Sequence, residues 1–197
     1  MSFIEHIKEI DTELFLYLNS KHNAFFDFVM FWASHRFVFI PLYALFLFLA
    51  WKYYGKKVWL VALCAALLIL LSDQISVHAF KNVFLRYRPC YNELICNQVH
   101  LNDGKGGQYG FISSHAANTF ALAMFLYLLF RGKIRYFGWM IFAWAAFVSY
   151  SRIYNGVHYP LDVAVGAIVG MGIGVAVYRL FRYIDEKRLT TESKGEK

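Results

Sequence analysis

Charge is what this sequence has least of. Asp, Glu, Lys and Arg make up 17% of its 197 residues, against 59% hydrophobic and 20% aromatic, and mean hydropathy is +0.41. Soluble domains carry about a quarter charged residues, so the composition reads as an integral membrane protein rather than a soluble domain with a large core. A secretory leader is also missing: acidic residues interrupt "MSFIEHIKEIDTELFLYLNS", and no apolar core follows a basic start. No soluble basic domain carries the net charge of +7, which argues against nucleic acid as a partner. Carboxylates are nowhere clustered for a metal, and "NDGKGG" at 102–107 is neither a complete calcium loop nor a P-loop, so it reads as flexible loop. Of the three cysteines, Cys64 lies in an apolar run and reads as packing. Cys90 and Cys96 flank a short polar stretch, and two readings stand: free thiols, or a bridge if that loop faces an oxidising compartment.

What is present is apolar sequence in blocks. Five stretches approach the roughly 20 residues a bilayer requires: Phe37 to Trp51, Val58 to Phe80, Ala116 to Phe130, Tyr136 to Tyr150 and Leu161 to Tyr178. The turns "KYYGKK" and "RGKIR" and the C-terminal tail are basic, whereas residues 89–114 and 151–160 are polar or aromatic. The positive-inside rule puts the basic turns and tail in the cytoplasm and residues 81–115 and 151–158 on the opposite face. The expected architecture is all-α: a polytopic membrane bundle of about five spans. Residues 1–35 would form interfacial helices, 36–183 the transmembrane unit and 184–197 a flexible cytoplasmic tail. A sixth span through residues 14–34 is the rival topology. Gly166, Gly170 and Gly174 recur at the spacing of close helix packing.

Three polar clusters fall on the non-cytoplasmic face. In "KNVFLRYRP", Lys81, Arg86 and Arg88 gather at a helix end that Pro89 would stop, with Lys81 and Arg88 two turns apart on one face. In "GFISSHAANTF", Ser113 and Ser114 occupy the N-cap region of a span, where free N–H groups suit an anion, and His115 adds a group that titrates near neutrality. In "SRIYNGVHYPLD", Arg152 ends one span, and His158 and Asp162 lie four residues apart at the start of the next, where a carboxylate can orient an imidazole. Each cluster alone has a plain structural explanation: snorkelling cations, a capped helix, an interfacial polar pair. Their convergence on one face points to a phosphate site with a nucleophile and an acid.

The clusters resemble the three motifs of the type 2 phosphatidic acid phosphatase (PAP2) family, which shares its core with vanadium haloperoxidases. Lys81, Arg88 and Pro89 match the first motif, and Ser151, Arg152, His158 and Asp162 the third. "ISSH", residues 112–115, matches the second in part, with Ile112 for Pro and Ser114 for Gly. The resemblance covers about residues 57–180. It implies that His158 forms a phosphohistidine, that Asp162 orients it and that His115 protonates the leaving oxygen. Lys81, Arg88 and Arg152, with Ser113 and Ser114, would bind the phosphate, and no metal or other cofactor would be needed.

Arg86 lies off the motif and is expected to touch headgroup phosphate or substrate. Asp73, inside a span, reads as structural support, and Asn118 as a residue placed to hold His115. The resulting expectation is a multi-pass plasma-membrane lipid phosphate phosphatase, its site facing the periplasm or cell exterior. Undecaprenyl diphosphate, lipid A and phosphatidylglycerol phosphate are candidate substrates, and the oligomeric state is open. A lipid phosphotransferase using the same site and a non-catalytic lipid-phosphate binder or transporter are the alternatives.

Overall fold

The computed structural model describes residues 2–195, with side chains through residue 187, and every regular element among them is helical. The principal helices are α1 Phe3–Asn19, α2 Ala24–Ala33, α3 Ile40–Tyr54, α4 Val58–Gln74, α5 Ser114–Phe130, α6 Phe137–Tyr154 and α7 Pro160–Gly195. α4 continues through a π-helical segment, Ile75–Lys81, and a last turn, Asn82–Phe84. The five apolar stretches coincide with α3 to α7. Two helical stretches, Arg36–Phe84 and Pro160–Lys187, are long and apolar enough to cross a membrane.

Helix α5 is the centre of the bundle. Ala116, Ala117, Ala121, Ala123 and Phe125 on it are fully buried, surrounded by apolar faces of α3, α4, α6 and α7. Small residues at successive turns let another helix approach closely, and α7 uses this with its glycines. A Cβ on Gly166 would lie 2.7 Å from the Ser113 carbonyl oxygen, one on Gly174 2.5 Å from that of Ala121, and one on Gly170 would overlap the Ala117 carbonyl. This glycine stripe decides more than packing. It seats the first turn of α7 against the start of α5, where the Ser113 N–H donates to the Asp162 carbonyl at 3.0 Å. Gly170→Val is therefore expected to destabilise the fold by about 3 kcal/mol through overpacking. Gly172→Val, where a Cβ meets nothing within 4 Å, should be silent. Thermal unfolding in detergent compares the two.

The N-terminal segment forms two helices, as expected, each with a side-chain cap. Ser2 and Glu5 make a reciprocal capping box on α1, and Asn23 accepts from the Phe26 N–H at 3.0 Å on α2. The break between Asn19 and Ala24 interrupts the rival span through 14–34. α1 does not simply lie on the bundle. Its buried residues, Asp11, Phe15 and Asn19, recur every four positions on one face, and Phe15 packs on Ile95, Ile153 and Tyr159.

At the other end the tail expected to be flexible from residue 184 begins as helix. α7 runs on, and Asp185 pairs with Lys57 in the α3–α4 turn at 2.5 Å. Residues 196 and 197, and side chains from 188, lie outside the described residues. Cys64, Cys90 and Cys96 are all free thiols.

Candidate active site

The helix carrying Lys81 ends earlier than the sequence suggests. Leu85 takes a left-handed conformation (φ 47) and closes the helix four residues before Pro89. Arg86 to Arg88 then run extended beside residues 108–110: the Arg88 N–H donates to Gln108 O at 3.1 Å and the Gly110 N–H to Arg86 O at 2.9 Å. Lys81 and Arg88 thus do not share a helix face. They are brought together by a reversal of the chain, and Pro89 opens a short 3-10 turn beyond it.

Three cations surround the pocket. Lys81 Nζ donates to Ser114 Oγ at 2.6 Å. Arg88 is 9% exposed and reaches the Val157 carbonyl at 3.4 Å, and Arg152 is 7% exposed and pairs with Asp103 Oδ2 at 3.1 Å. Both guanidiniums keep a buried Nε with no partner. Asp103 offsets the charge of Arg152, but Arg88 has no carboxylate partner among the described residues. Two buried cations within electrostatic reach of each other, each with an N–H unclaimed, favour an anion between them.

His158 lies on the extended link between α6 and α7 and is 2% exposed. Its Nδ1 faces Asp162 Oδ2 at 3.4 Å, and the Gly110 backbone lies against the ring. Burial, reinforced by Arg88, Arg152 and Lys81, holds the His158 imidazole well below its ordinary pKa of 6.5. The ring is therefore neutral at physiological pH and, with Nδ1 engaged, leaves Nε2 as the free nucleophilic nitrogen. Asp162 is fully buried: Oδ2 also accepts from the Tyr159 N–H at 3.0 Å, while Oδ1 accepts from Arg86 at 2.8 Å.

Helix α5 delivers the remaining groups. Ser113 is its N-cap, accepting weakly from the Ala116 N–H at 3.4 Å, and Ser114 is its first helical residue. His115 lies beside the Ser34 backbone at the end of α2 and within electrostatic reach of Arg152, His158 and Lys81. The eight residues singled out from the sequence lie close together, joined by hydrogen bonds and electrostatic contacts.

Other expectations need correction. Arg86, expected at a headgroup phosphate or substrate, is engaged by two carboxylates. Its guanidinium bridges Asp162 at 2.8 Å and Asp11 Oδ2 at 2.6 Å, and lies 4.0 Å over the Tyr159 ring. Asn118 does not hold His115, since its Oδ1 is buried without a partner. The 102–107 loop is pinned to the site: Asp103 holds Arg152, and Gly106 (φ +66) lies so close that a Cβ would meet Arg88 NH1 at 3.4 Å. Gly110 is tighter still, its Cβ position being 2.9 Å from Arg88 Cγ and 3.5 Å from His158 Nδ1. Sequence reasoning missed Asp11, Ser34, Asp103 and these glycines. The one available signal was Gly110 directly preceding the "FISSH" stretch.

Comparison with known proteins places this constellation. The profile of the PAP2 superfamily matches residues 59–186, which include every cation and both histidines of the pocket. The chain is 39% identical over 173 residues to the lipid A 4′-phosphatase of Bacteroides thetaiotaomicron, covering 85% of this chain and 75% of that one. It is 35% identical over 182 residues to the lipid A 4′-phosphatase of Porphyromonas gingivalis, covering 91% and 76%. Among solved structures, Aquifex aeolicus LpxE superposes with a TM-score of 0.61 at 26% identity, over 85% of this chain and 93% of that one. A bundle whose fold, profile match and relatives, each matched over three quarters of its length, agree leaves one assignment: the chain belongs to the PAP2 superfamily and is a membrane phosphatase of that type.

Proposed function

We propose that the protein removes a phosphate from a lipid headgroup through a phosphohistidine, without a metal. The observation that carries this reading is the pair of buried guanidiniums, Arg88 and Arg152, each with an unclaimed Nε beside a neutral, oriented His158. In the proposed sequence His158 Nε2 attacks phosphorus, the phosphorus–oxygen ester bond breaks, and His115 gives its proton to the leaving oxygen. Water then attacks the phosphohistidine, returning a proton to His115 and releasing inorganic phosphate. Lys81, Arg88 and Arg152, with Ser113 and Ser114, neutralise the charge on the equatorial oxygens, the task Mg²⁺ performs in many other phosphoryl-transfer enzymes. A non-catalytic binder would explain the cations but leave the buried His158–Asp162 pair without work.

The relatives named lipid A 4′-phosphatases make a 4′-phosphorylated lipid A the leading substrate. In the proposed topology α3 to α7 are five spans, with α1 and α2 in the outer interface and residues 184–197 in the cytoplasm. Large apolar side chains point outward along the bundle, among them Leu63 (61% exposed), Trp139 (82%) and Ile168 (65%), as lipid-facing positions require. The basic turns at Lys56, Lys57, Arg131 and Lys133 sit at the helix ends opposite the site, which supports a periplasmic or external pocket.

The test is phosphate release by purified protein in detergent, with EDTA present. The substrates are a 4′-phosphorylated lipid A, farnesyl diphosphate, phosphatidylglycerol phosphate and phosphatidic acid. Release with EDTA present is expected, fastest from the lipid A. Activity that needs an added divalent metal, or no release from any lipid, would refute the proposal.

A further inference from the structure

Beside the phosphate pocket a cavity of about 870 Å³ opens between α3, α4 and α5. Ser114 and His115 line it where α5 begins, and its deeper walls are apolar, with Phe46, Ile69 and Leu126 among them. Two polar groups interrupt that apolar surface. Asp73 on α4 lines the cavity, exposed to it and without an ion pair or hydrogen bond to any described residue, acting on Lys81 only through space. Asn118, one turn below His115 on α5, lines the same cavity, and its buried Oδ1 has no partner. Asp73 follows Ala62, Ala66 and Ile69 on the cavity face of α4. The sequence reading of Asp73 as structural support therefore has no contact behind it. An ionisable residue in an apolar span that the fold leaves unpaired is a candidate for function.

The reaction geometry says what enters this cavity. The leaving oxygen must lie at His115, opposite the attacking His158, so the moiety it carries passes into the space that His115 also lines. We infer that Asp73 and Asn118 select the leaving group, favouring a neutral, donor-bearing one, such as the ring of an acylated amino sugar, over a second phosphate. This rests on the phosphatase reading above and deepens it. Hydroxyl and amide N–H donors of a sugar would satisfy the buried Asn118 Oδ1 and the unpaired Asp73 carboxylate. A lipid diphosphate would instead place an anion near the Asp73 carboxylate in a weakly screening environment, followed by a hydrocarbon chain that leaves that carboxylate unsolvated. Arg36 also lines the cavity, but it is exposed, with its guanidinium 5.5 Å over the Phe37 ring at the α2–α3 junction.

The experiment compares kcat/KM for a 4′-phosphorylated lipid A and for farnesyl diphosphate in the same detergent, in wild type, Asp73→Asn and Asn118→Ala. Asp73→Asn is nearly isosteric and removes only the charge. It is expected to shift the ratio of the two constants toward the diphosphate by about tenfold, the usual effect of a lost charge-assisted hydrogen bond together with lifted repulsion. Asn118→Ala should shift the ratio in the same direction by a smaller factor. A general structural role would lower both constants together, and that result, or no change in the ratio for either variant, overturns the inference. Wild-type protein that releases phosphate from none of the four lipids named above would instead refute the phosphatase reading, and one active only on the other two would overturn the inference alone, so the two failures are distinguishable.

Discussion

Replacing His158 with Ala is expected to abolish phosphate release, a loss on the order of 10⁴-fold or more, because His158, unlike His115, is oriented by a buried carboxylate for attack. The reasoning starts from burial. The ring is 2% exposed, held between Asp162 and the Gly110 backbone, and surrounded by three cations that disfavour its protonated form. A nitrogen kept neutral and aimed at a site for a phosphate is activated without a separate base. The fold should survive the substitution, since Asp162 keeps Arg86 and the Tyr159 N–H when the imidazole is removed. Rapid acid-free quenching with ³²P-labelled substrate should trap a base-stable, acid-labile phosphoprotein in wild type and none in His158→Ala. Wild-type turnover by the variant, or label that persists on it, would show that another residue attacks phosphorus.

How far the sequence reached differs between the helices and what lies between them. The apolar blocks located α3 to α7 because each helix is defined by local composition, and the third motif placed His158 and Asp162 together because Pro160 begins α7 between them. The motif cations were found for a partly mistaken reason. Lys81 and Arg88 meet because Leu85 turns left-handed and residues 86–88 pair with 108–110, and no helical periodicity encodes that reversal. Residues whose role comes from distant sequence were out of reach. Asp11 meets Arg86 across 75 positions, and Asp103 meets Arg152 across 49. In a single sequence Asp11 is one more charge on an amphipathic helix, and Asp103 a loop residue. The N-terminal helices, read from the sequence as a separate segment, also contribute: α1 supplies Asp11, which pairs with Arg86, and the Ser34 backbone at the end of α2 lies beside His115.

Arg86→Ala follows from that long-range contact and should have the second-largest effect. The Arg86 side chain is 15% exposed, between Asp11 at 6% and Asp162 at 0%. Removing one member of a buried charge network leaves the others unpaired, at a cost of about 3–5 kcal/mol. Asp162 would be left to His158 and the Tyr159 N–H alone, and α1 would lose its polar tether to the start of α7, where Asp11 also accepts from the Leu161 N–H at 2.8 Å. Thermal unfolding in detergent should register the loss. Activity separates two roles for this arginine. If it positions Asp162 and through it His158, kcat should fall about a hundredfold with little change in KM, the pattern of an interaction that matters only in the transition state. Arg86→Lys should recover only part of that loss, because one ammonium cannot serve both carboxylates as the planar fork does. If Arg86 instead binds a lipid phosphate, KM should rise at nearly constant kcat, and the lysine variant should largely restore it. Both guanidinium arms are already occupied by carboxylates, so the first pattern is the expected one; the second would mean that substrate binding breaks the Asp11 contact.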